Sequence, residues 1–570
     1  MATFNRTPYL TVSVLDQSFL NDCHDNLVNQ LELVVDIESP TGTLHLSDRN
    51  KYVGSTFYEA RLQFPIIQRT IGEFLSPTLE FSQLQLEINN ADGKYNNLLP
   101  AGDDYDGWIG RQVSVKMGLR DVASTYKEIF RGRVTDQGGF QRSIKSFTLI
   151  ARNDFEKINV SFPKTVLKAT SYPDIDPEFE NVILPLIYGD WTKEVEPDAA
   201  SVPAFPVNTA NPNVDGSTSN TVSIECIISE NNNLFFNSSH VYVLRGDLFY
   251  KFHASDIHDV VNNRTFKIKQ SGNGGVTTID GSPYNYQRGD KFYCRVKGKD
   301  LSAYSDNIVE ISRDILINQA GLVSGDFDSS WNTLRDKNTP VQSAIYSIKS
   351  RVWIQEPQEA LRYVLSLLEQ VRLEAFIDRN LKLKLRSLHF EDFVASPSFE
   401  VKNWDIEAGS FVPKIDDRNN FNRVRGSYNF LPNRNENIYE SGTYRNQAAI
   451  DQAGKVISKR VIFPNLYELD DVSYQVQEIL KFASSYIETI DCALTWRSML
   501  LDIGDFVKIN VNIQGTVFEG IPAMIREIGY DPAGIKIPVK MWSFQLMPFS
   551  GHNPAYSGIV GGSTATIIEE

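Results

Sequence analysis

Gly110-Arg111-Gln112-Val113-Ser114-Val115-Lys116-Met117, followed after a polar turn by Phe130-Arg131-Gly132, has a counterpart late in the chain. There Gly504-Asp505-Phe506-Val507-Lys508-Ile509-Asn510-Val511 is followed by Phe518-Glu519-Gly520. Each copy reads as a glycine turn, an alternating strand, a hairpin loop and a return strand carrying Phe-x-Gly. Period-two alternation places Val113, Val115 and Met117 on one face of a sheet, and Val507, Ile509 and Val511 on one face of another. Two related antiparallel barrels or sandwiches are therefore expected in one chain, although a glycine followed by alternating valines also opens many unrelated hairpins.

Working outward, strand-and-turn patterning fills residues 1–155, where Leu84, Leu86 and Ile88 alternate before the turn Asn90-Ala91-Asp92-Gly93. A proline-punctuated connection occupies 156–200 and contains Pro185-Leu186-Ile187-Tyr188-Gly189. Residues 201–315 read as an inserted β-rich module that opens on a low-complexity stretch, Asn208 to Thr221. An α+β unit follows at 316–395. Its helix is expected to begin at Pro357, and Leu361, Val364, Leu365, Leu368 and Val371 form one apolar face. That helix should pack on the strands Leu373 to Ile377 and Leu381 to Leu385. Residues 396–550 form a second β domain with one helix from about Leu469 to Ile487, whose apolar face is Val472, Val476, Ile479, Ala483 and Tyr486, and 551–570 a glycine-rich tail expected to be flexible. The fold class is thus mainly β with α+β segments.

Composition narrows the function. A chain of 570 residues is too long for one core, and a 41% apolar fraction with 24 tyrosines and 33 phenylalanines fits a β-rich globular protein. No apolar run reaches the ~18 residues of a membrane helix, and the amino terminus lacks a signal-peptide core. Assembly in a cytoplasm without membrane insertion is expected. A formal net charge of -15 argues against specific nucleic-acid binding, which needs a basic footprint; it suits ordinary solubility or a surface that DNA passes without sticking.

The sequence carries few signals of chemistry. Cys23, Cys226, Cys294 and Cys492 form no C-x-x-C pair; Cys226 and Cys294 could face each other in one module, but free thiols are expected in a reducing compartment. The acidic turn Asp103-Asp104-Tyr105-Asp106-Gly107 fails as an EF-hand, because Gly102 and Val113 would fall at obligatory carboxylate positions. His253, Asp256, His258 and Asp259 match no metal-ligand spacing. There is no nucleophile elbow and no phosphate loop. No catalytic, cofactor-binding or metal-binding residue is assigned, and a non-enzymatic role is expected. Phe235, Phe236, Tyr250 and Tyr286 could stack on sugar rings or fill a small β-sandwich core.

The order of parts resembles bacteriophage tail hub and baseplate hub proteins. The resemblance rests on Asn89-Asn90-Ala91-Asp92-Gly93, on Trp108-Ile109-Gly110-Arg111 with Val113 and Val115, on Ile129-Phe130-x-Gly132-x-Val134, on Pro185-x-x-Tyr188-Gly189, on the helix and hairpin from Pro357 to Leu388, and on the Gly504-Asp505-x-Val507 strand. It implies two tail-tube-like barrels per chain and a homotrimer whose six barrels continue a hexameric tail tube above a trimeric central spike. The partners implied are the tail tube protein, the central spike protein, other baseplate or wedge subunits and the tape measure protein, with DNA passing during ejection. The location implied is the baseplate of the virion. A receptor- or glycan-binding distal tail protein is the alternative, and a virion-associated cell-wall hydrolase a more distant one.

Overall fold

The computed structural model describes residues 31–63, 67–70, 83–98, 107–119, 123, 126–135, 140–143, 145–153, 155, 158–192, 202–208, 221–231, 234–245, 248–261, 264–271, 276–277, 283–284, 286–302, 305–336, 348–378, 380–389, 397, 399–416, 421–432, 435–484, 487–495, 498, 501–513, 515–530, 536–543 and 567–569. It is mainly β, with helices gathered in the middle of the chain.

In the N-terminal sheet the strands lie in the order 51–53, 56–60, 42–47, 31–39, 112–119, 127–134, 146–153, 83–89 and 62–63. Val113, Val115 and Met117 face inward as their alternation requires, and each buried valine contributes roughly 1.5–3 kcal/mol. The sheet curls until its ends meet on one stretch of chain. Residues 56–60 run parallel to 42–47, while 62–63 pair antiparallel with 83–89. Arg61 is the seam: its N–H donates to Ser47 O at 2.9 Å, and its carbonyl accepts from Asn89 N–H at 2.8 Å.

The C-terminal sheet runs 399–402, 506–513, 516–530, 536–543, 487–495, 412–416. Strands 412–416, 487–495, 506–513, 516–530 and 536–543 have the same chain order and the same antiparallel neighbours as 62–63, 83–89, 112–119, 127–134 and 146–153 in the first sheet. Here too one stretch serves both ends, since 399–402 lies parallel to 506–513. The first sheet differs by the added hairpin 31–47. Strand 67–70 leaves the first sheet and pairs with 527–530 of the second, and one continuous apolar cluster holds Ile67 with the inward residues of both sheets.

Between the two sheets in sequence lie the helices α1 (Ile308–Asn318), α2 (Ser330–Arg335) and α3 (Ala360–Glu369), while α4 (Gln447–Ala453) and α5 (Leu469–Ala483) fall between strands 412–416 and 487–495 of the second sheet. The Asn307 side chain caps α1 by accepting from the N–H groups of Val309 and Glu310, a contact worth about 1 kcal/mol. Helix α3 packs on the hairpin 373–377/383–387 through Leu361, Val364, Leu365 and Leu368, as its apolar face predicts. Its start differs from expectation: Pro357 is not the first helical residue, because Gln358 and Glu359 are drawn into pairing with Phe162 and Ser161. Helix α5 carries Asp470 and Asp471 in its first turn and Lys481 in its last, matching the helix dipole. It lies so close to strand 423–431 that a Cβ at Gly426 would come within 2.8 Å of Val472. Tyr486, expected on its apolar face, lies outside the described residues. At the edge of the 423–463 sheet, Ile567–Glu569 adds a strand to Glu436–Asn446.

The inserted sheet has seven strands in the order 248–251, 235–245, 291–297, 202–208, 221–227, 265–271, 257–261. It is anchored at the Pro185–Gly189 segment. Asn231 Nδ2 donates to Ile187 O at 2.8 Å, and a Cβ at Gly298 would sit 2.3 Å from the Tyr188 Cα. Gly189, at φ +78°, lies against the Ser350 carbonyl, so this short motif is where insert and helical layer close on each other.

Candidate assembly surface

Each turn that opens the repeated strand is built the same way. Gly110 N–H donates to Val134 O and Val134 N–H returns to Arg111 O, both at 2.9 Å; Gly504 N–H donates to Ile525 O at 2.7 Å and Ile525 N–H to Asp505 O at 3.0 Å. Gly110 and Gly504 have φ +74° and +75°, a region open to glycine at little cost. These bonds make Arg111 the counterpart of Asp505 and Val134 that of Ile525. They also correct half of the quoted repeat. Gly132 pairs with Val113, whereas the residue opposite Val507 is Ala523, so Phe130-x-Gly132 and Phe518-x-Gly520 are not equivalent.

The outward faces of the two sheets are a mosaic of compensated charges. On the first, Glu32 is buried between Arg49 at 2.6 Å and Lys51 at 3.0 Å, Asp36 pairs with Lys116 at 2.7 Å, and Arg131 with Glu128 at 2.5 Å. Burial works to raise the Asp36 carboxyl, but hydrogen bonds from Lys116 and His45 outweigh it and hold the group below its ordinary value. On the second, Lys414 meets Asp491 at 2.7 Å, Lys540 meets Glu527 at 3.0 Å and Lys402 meets Glu400 at 3.0 Å. A lysine already neutralised by a neighbour has little left to release counterions from a phosphate backbone. Such a face can pack beside another sheet or border water.

The seam of the first sheet is fixed by charge as well. Arg61 reaches Glu59 at 2.7 Å and Asp92 at 2.6 Å, and its guanidinium lies 5.3 Å from the Tyr95 ring centre. The Arg61 hydrogen bond holds the Asp92 carboxyl well below the usual carboxylate range. Asp92 comes from the turn marked in the sequence; its partner Arg61 carried no local signal. Beside the seam, Tyr52 and Phe57 form an exposed aromatic pair, 68% and 46% accessible, on the hairpin 51–60.

Cys226, Cys294 and Cys492 are buried free thiols; burial pushes the Cys226 and Cys294 thiols well above their ordinary value. Cys23 and residues 103–106 lie outside the described residues. His253 precedes the short turn Ala254–Asp256, and His258 sits on the strand 257–261. No group of three or more His, Cys, Asp or Glu that could hold a metal occurs among the described residues, and none of their helices is long and apolar enough to cross a membrane. Of the four aromatics weighed for sugar stacking, Phe236, Tyr250 and Tyr286 pack against the core of the insert, Phe236 being stacked on Phe266 at 4.9 Å. The Tyr286 hydroxyl donates to buried Asp176. Phe235 is exposed, with the Lys297 ammonium 5.9 Å from its ring centre.

No protein-family model matches the chain, and no curated protein matches it. Among solved structures it is similar to the 43 kDa tail protein of prophage MuSo2 from Shewanella oneidensis, at 9% identity over 90% of this chain and 98% of that one, with a TM-score of 0.39. The tail protein from Neisseria meningitidis MC58 is similar at 9% identity over 90% and 96%, also with a TM-score of 0.39. The prophage tail protein gp18 from Listeria monocytogenes EGD-e is similar at 12% identity over 64% and 95%, with a TM-score of 0.24.

Proposed function

We propose that this chain is a non-catalytic structural hub of a phage tail baseplate, a homotrimer that joins a hexameric tail tube to a trimeric central spike and borders the DNA channel. The observation that carries the reading is the recurrence, within one chain, of five strands in the same order with the same glycine turn before the third. A sixfold tube and a threefold spike cannot be matched by identical single-domain contacts. Three chains with two similar sheets each present pseudo-sixfold symmetry on one side and true threefold symmetry on the other. The net charge of -15 and the compensated lysines of the sheet faces fit a channel that repels DNA rather than holding it.

In this reading the first domain (1–155) and the second (396–550) form the ring, the 316–395 unit braces the second, and the 201–315 module docks on neighbouring baseplate subunits. The tube protein, the spike protein and the wedge subunits are the partners, with the tape measure protein and passing DNA met inside the channel. The test is light scattering on the purified chain with negative-stain images of the peak. A trimer with a central hole supports the hub; a monomer that also fails to form rings when co-expressed with tube and spike proteins sinks it.

A further inference from the structure

Strand Ile567–Glu569 lies on the edge of strand 436–446, with Asn446 opposite Ile567, Arg445 opposite Ile568 and Tyr444 opposite Glu569. Other elements hold that edge in place. Asn446 N–H donates to Asn422 O at 2.9 Å, its Oδ1 accepts from Ala449 N–H in the first turn of α4 at 3.2 Å, and its Nδ2 donates to Ser484 Oγ at the end of α5 at 2.8 Å. The edge is therefore preformed whether or not a strand lies on it, which lowers the cost of receiving one.

The strand arrives by a connection far longer than its route requires. The chain leaves the second sheet at Ser543, which pairs with Glu488. Glu488 follows Ser484 by four positions, and Ser484 touches Asn446. Cross-strand neighbours stand about 5 Å apart and four residues span at most about 14 Å, so the whole route is under about 35 Å. About ten residues would cover it. The sequence supplies the 23 residues 544–566. Fully extended, they reach about 80 Å, whereas a compact chain of this length has a radius of gyration of about 25 Å.

We infer that strand 567–569 is exchanged between copies, so that in the assembled protein it pairs with the 444–446 edge of a second copy of this chain. The occupant is the chain's own segment, because that segment already makes the register this edge accepts. Strand pairing joins main-chain groups, and the same contacts form within one chain or between two. The home edge is favoured only by effective concentration, which falls as a connection lengthens beyond the span it must cover. A neighbouring edge held within reach competes on nearly equal terms, and exchange ties the two copies together. The inference needs a second copy within reach and does not depend on the hub reading.

Cysteines at facing positions test it. Arg445→Cys and Ile568→Cys stand opposite each other at a spacing that a disulfide spans. Two full-length chains, one with each substitution and each with its own affinity tag, are co-expressed, oxidised with diamide and run on non-reducing gels. The expected result is a linked two-chain species that carries both tags, disappears with dithiothreitol and is absent from the parent chain and from either single variant. In a full-length chain carrying both substitutions, links between chains should predominate. Removing residues 551–562 from that double variant leaves a connection with a reach of about 40 Å, enough for the home edge, and should turn the links inward. Absence of the two-tag product overturns the inference. So do links confined to single chains in the full-length double variant, or links between chains that persist undiminished after the shortening. Light scattering on the same samples counts the copies separately, so failure of the exchange and failure of the hub reading are read from different measurements.

Discussion

Arg69 and Asp502, separated by 433 positions in sequence, meet in a buried ion pair at 2.5 Å, each side chain only 6% exposed. Arg69 lies on the strand that crosses from the first sheet to the second, and it also donates to the carbonyl of Ile377 on the α3 hairpin. Asp502 opens the Gly504 turn. The pair thus ties three parts of the chain at one point. A second buried pair, Arg526 with Glu374 at 2.5 Å, joins the second sheet to the same hairpin, and the Arg526 guanidinium lies 3.9 Å from the Trp542 ring centre.

Removing one partner leaves the other charged and buried. Arg69→Ala should cost about 3–5 kcal/mol, whereas Arg69→Met combined with Asp502→Leu should recover most of the loss. Urea unfolding of Arg69→Met, Asp502→Leu and the double variant gives the coupling; additive effects would show that the pair does not bind the sheets together.

The two Phe-x-Gly glycines should respond differently to alanine. A Cβ at Gly132 would fall 2.1 Å from the Arg152 carbonyl oxygen on the neighbouring strand, which cannot move without opening the sheet. At Gly520 the obstacle is backbone strain at φ +72°, with the Lys508 side chain no nearer than 3.4 Å. Gly520→Ala should cost roughly 1–3 kcal/mol, and Gly132→Ala distinctly more. Thermal melts of both variants check the order.

Glu488 carries a pH dependence of known sign. Its side chain is buried, its Oε2 has no hydrogen-bond partner among the described residues, and burial pushes its carboxyl up to about 7. In the unfolded chain an ordinary glutamate has already lost its proton above about 4.3. Between those values the native state binds more protons, so stability is fully present at low pH and falls as pH rises toward 7. Glu488→Gln should raise stability at pH 8 by roughly 2–4 kcal/mol and flatten the profile. Denaturation midpoints at pH 5 and pH 8 measure it; an unchanged slope counts against the assignment.

The thiols Cys226 and Cys294 sit in the core of the insert, their ionisation suppressed by burial. Disulfide-exchange reagents at pH 8 should leave both unmodified in the native chain and react promptly once urea opens the insert. Fast native labelling at either position would mean that this module opens on its own.

Arg351 is stacked between Trp191 at 4.4 Å and Tyr467 at 5.2 Å and hydrogen-bonds Asn429; burial lowers its guanidinium to about 10. Arg351→Lys keeps the charge but loses the flat surface both rings contact, and should destabilise by about 1–3 kcal/mol. Chemical denaturation followed by tryptophan fluorescence would report the loss.

The sequence by itself determined the local elements. Val113, Val115 and Met117, Val507, Ile509 and Val511, and the Val472, Val476, Ile479 and Ala483 face of α5 are all buried as their spacing requires, because side-chain direction follows the period of the backbone. The Gly110 and Gly504 turns were legible for the same reason, since a positive φ favours glycine locally. Only the tertiary structure decided what lies beside each strand. The seam at Arg61, the crossing strand 67–70, the pairing of Gln358 and Glu359 that displaces the start of α3, and the different partners of Gly132 and Gly520 all depend on backbone groups far away in sequence. Hydrogen bonds between strands join main-chain atoms that every residue carries. Periodicity therefore fixes which face of a strand turns inward, and the packing of the whole chain fixes its neighbours.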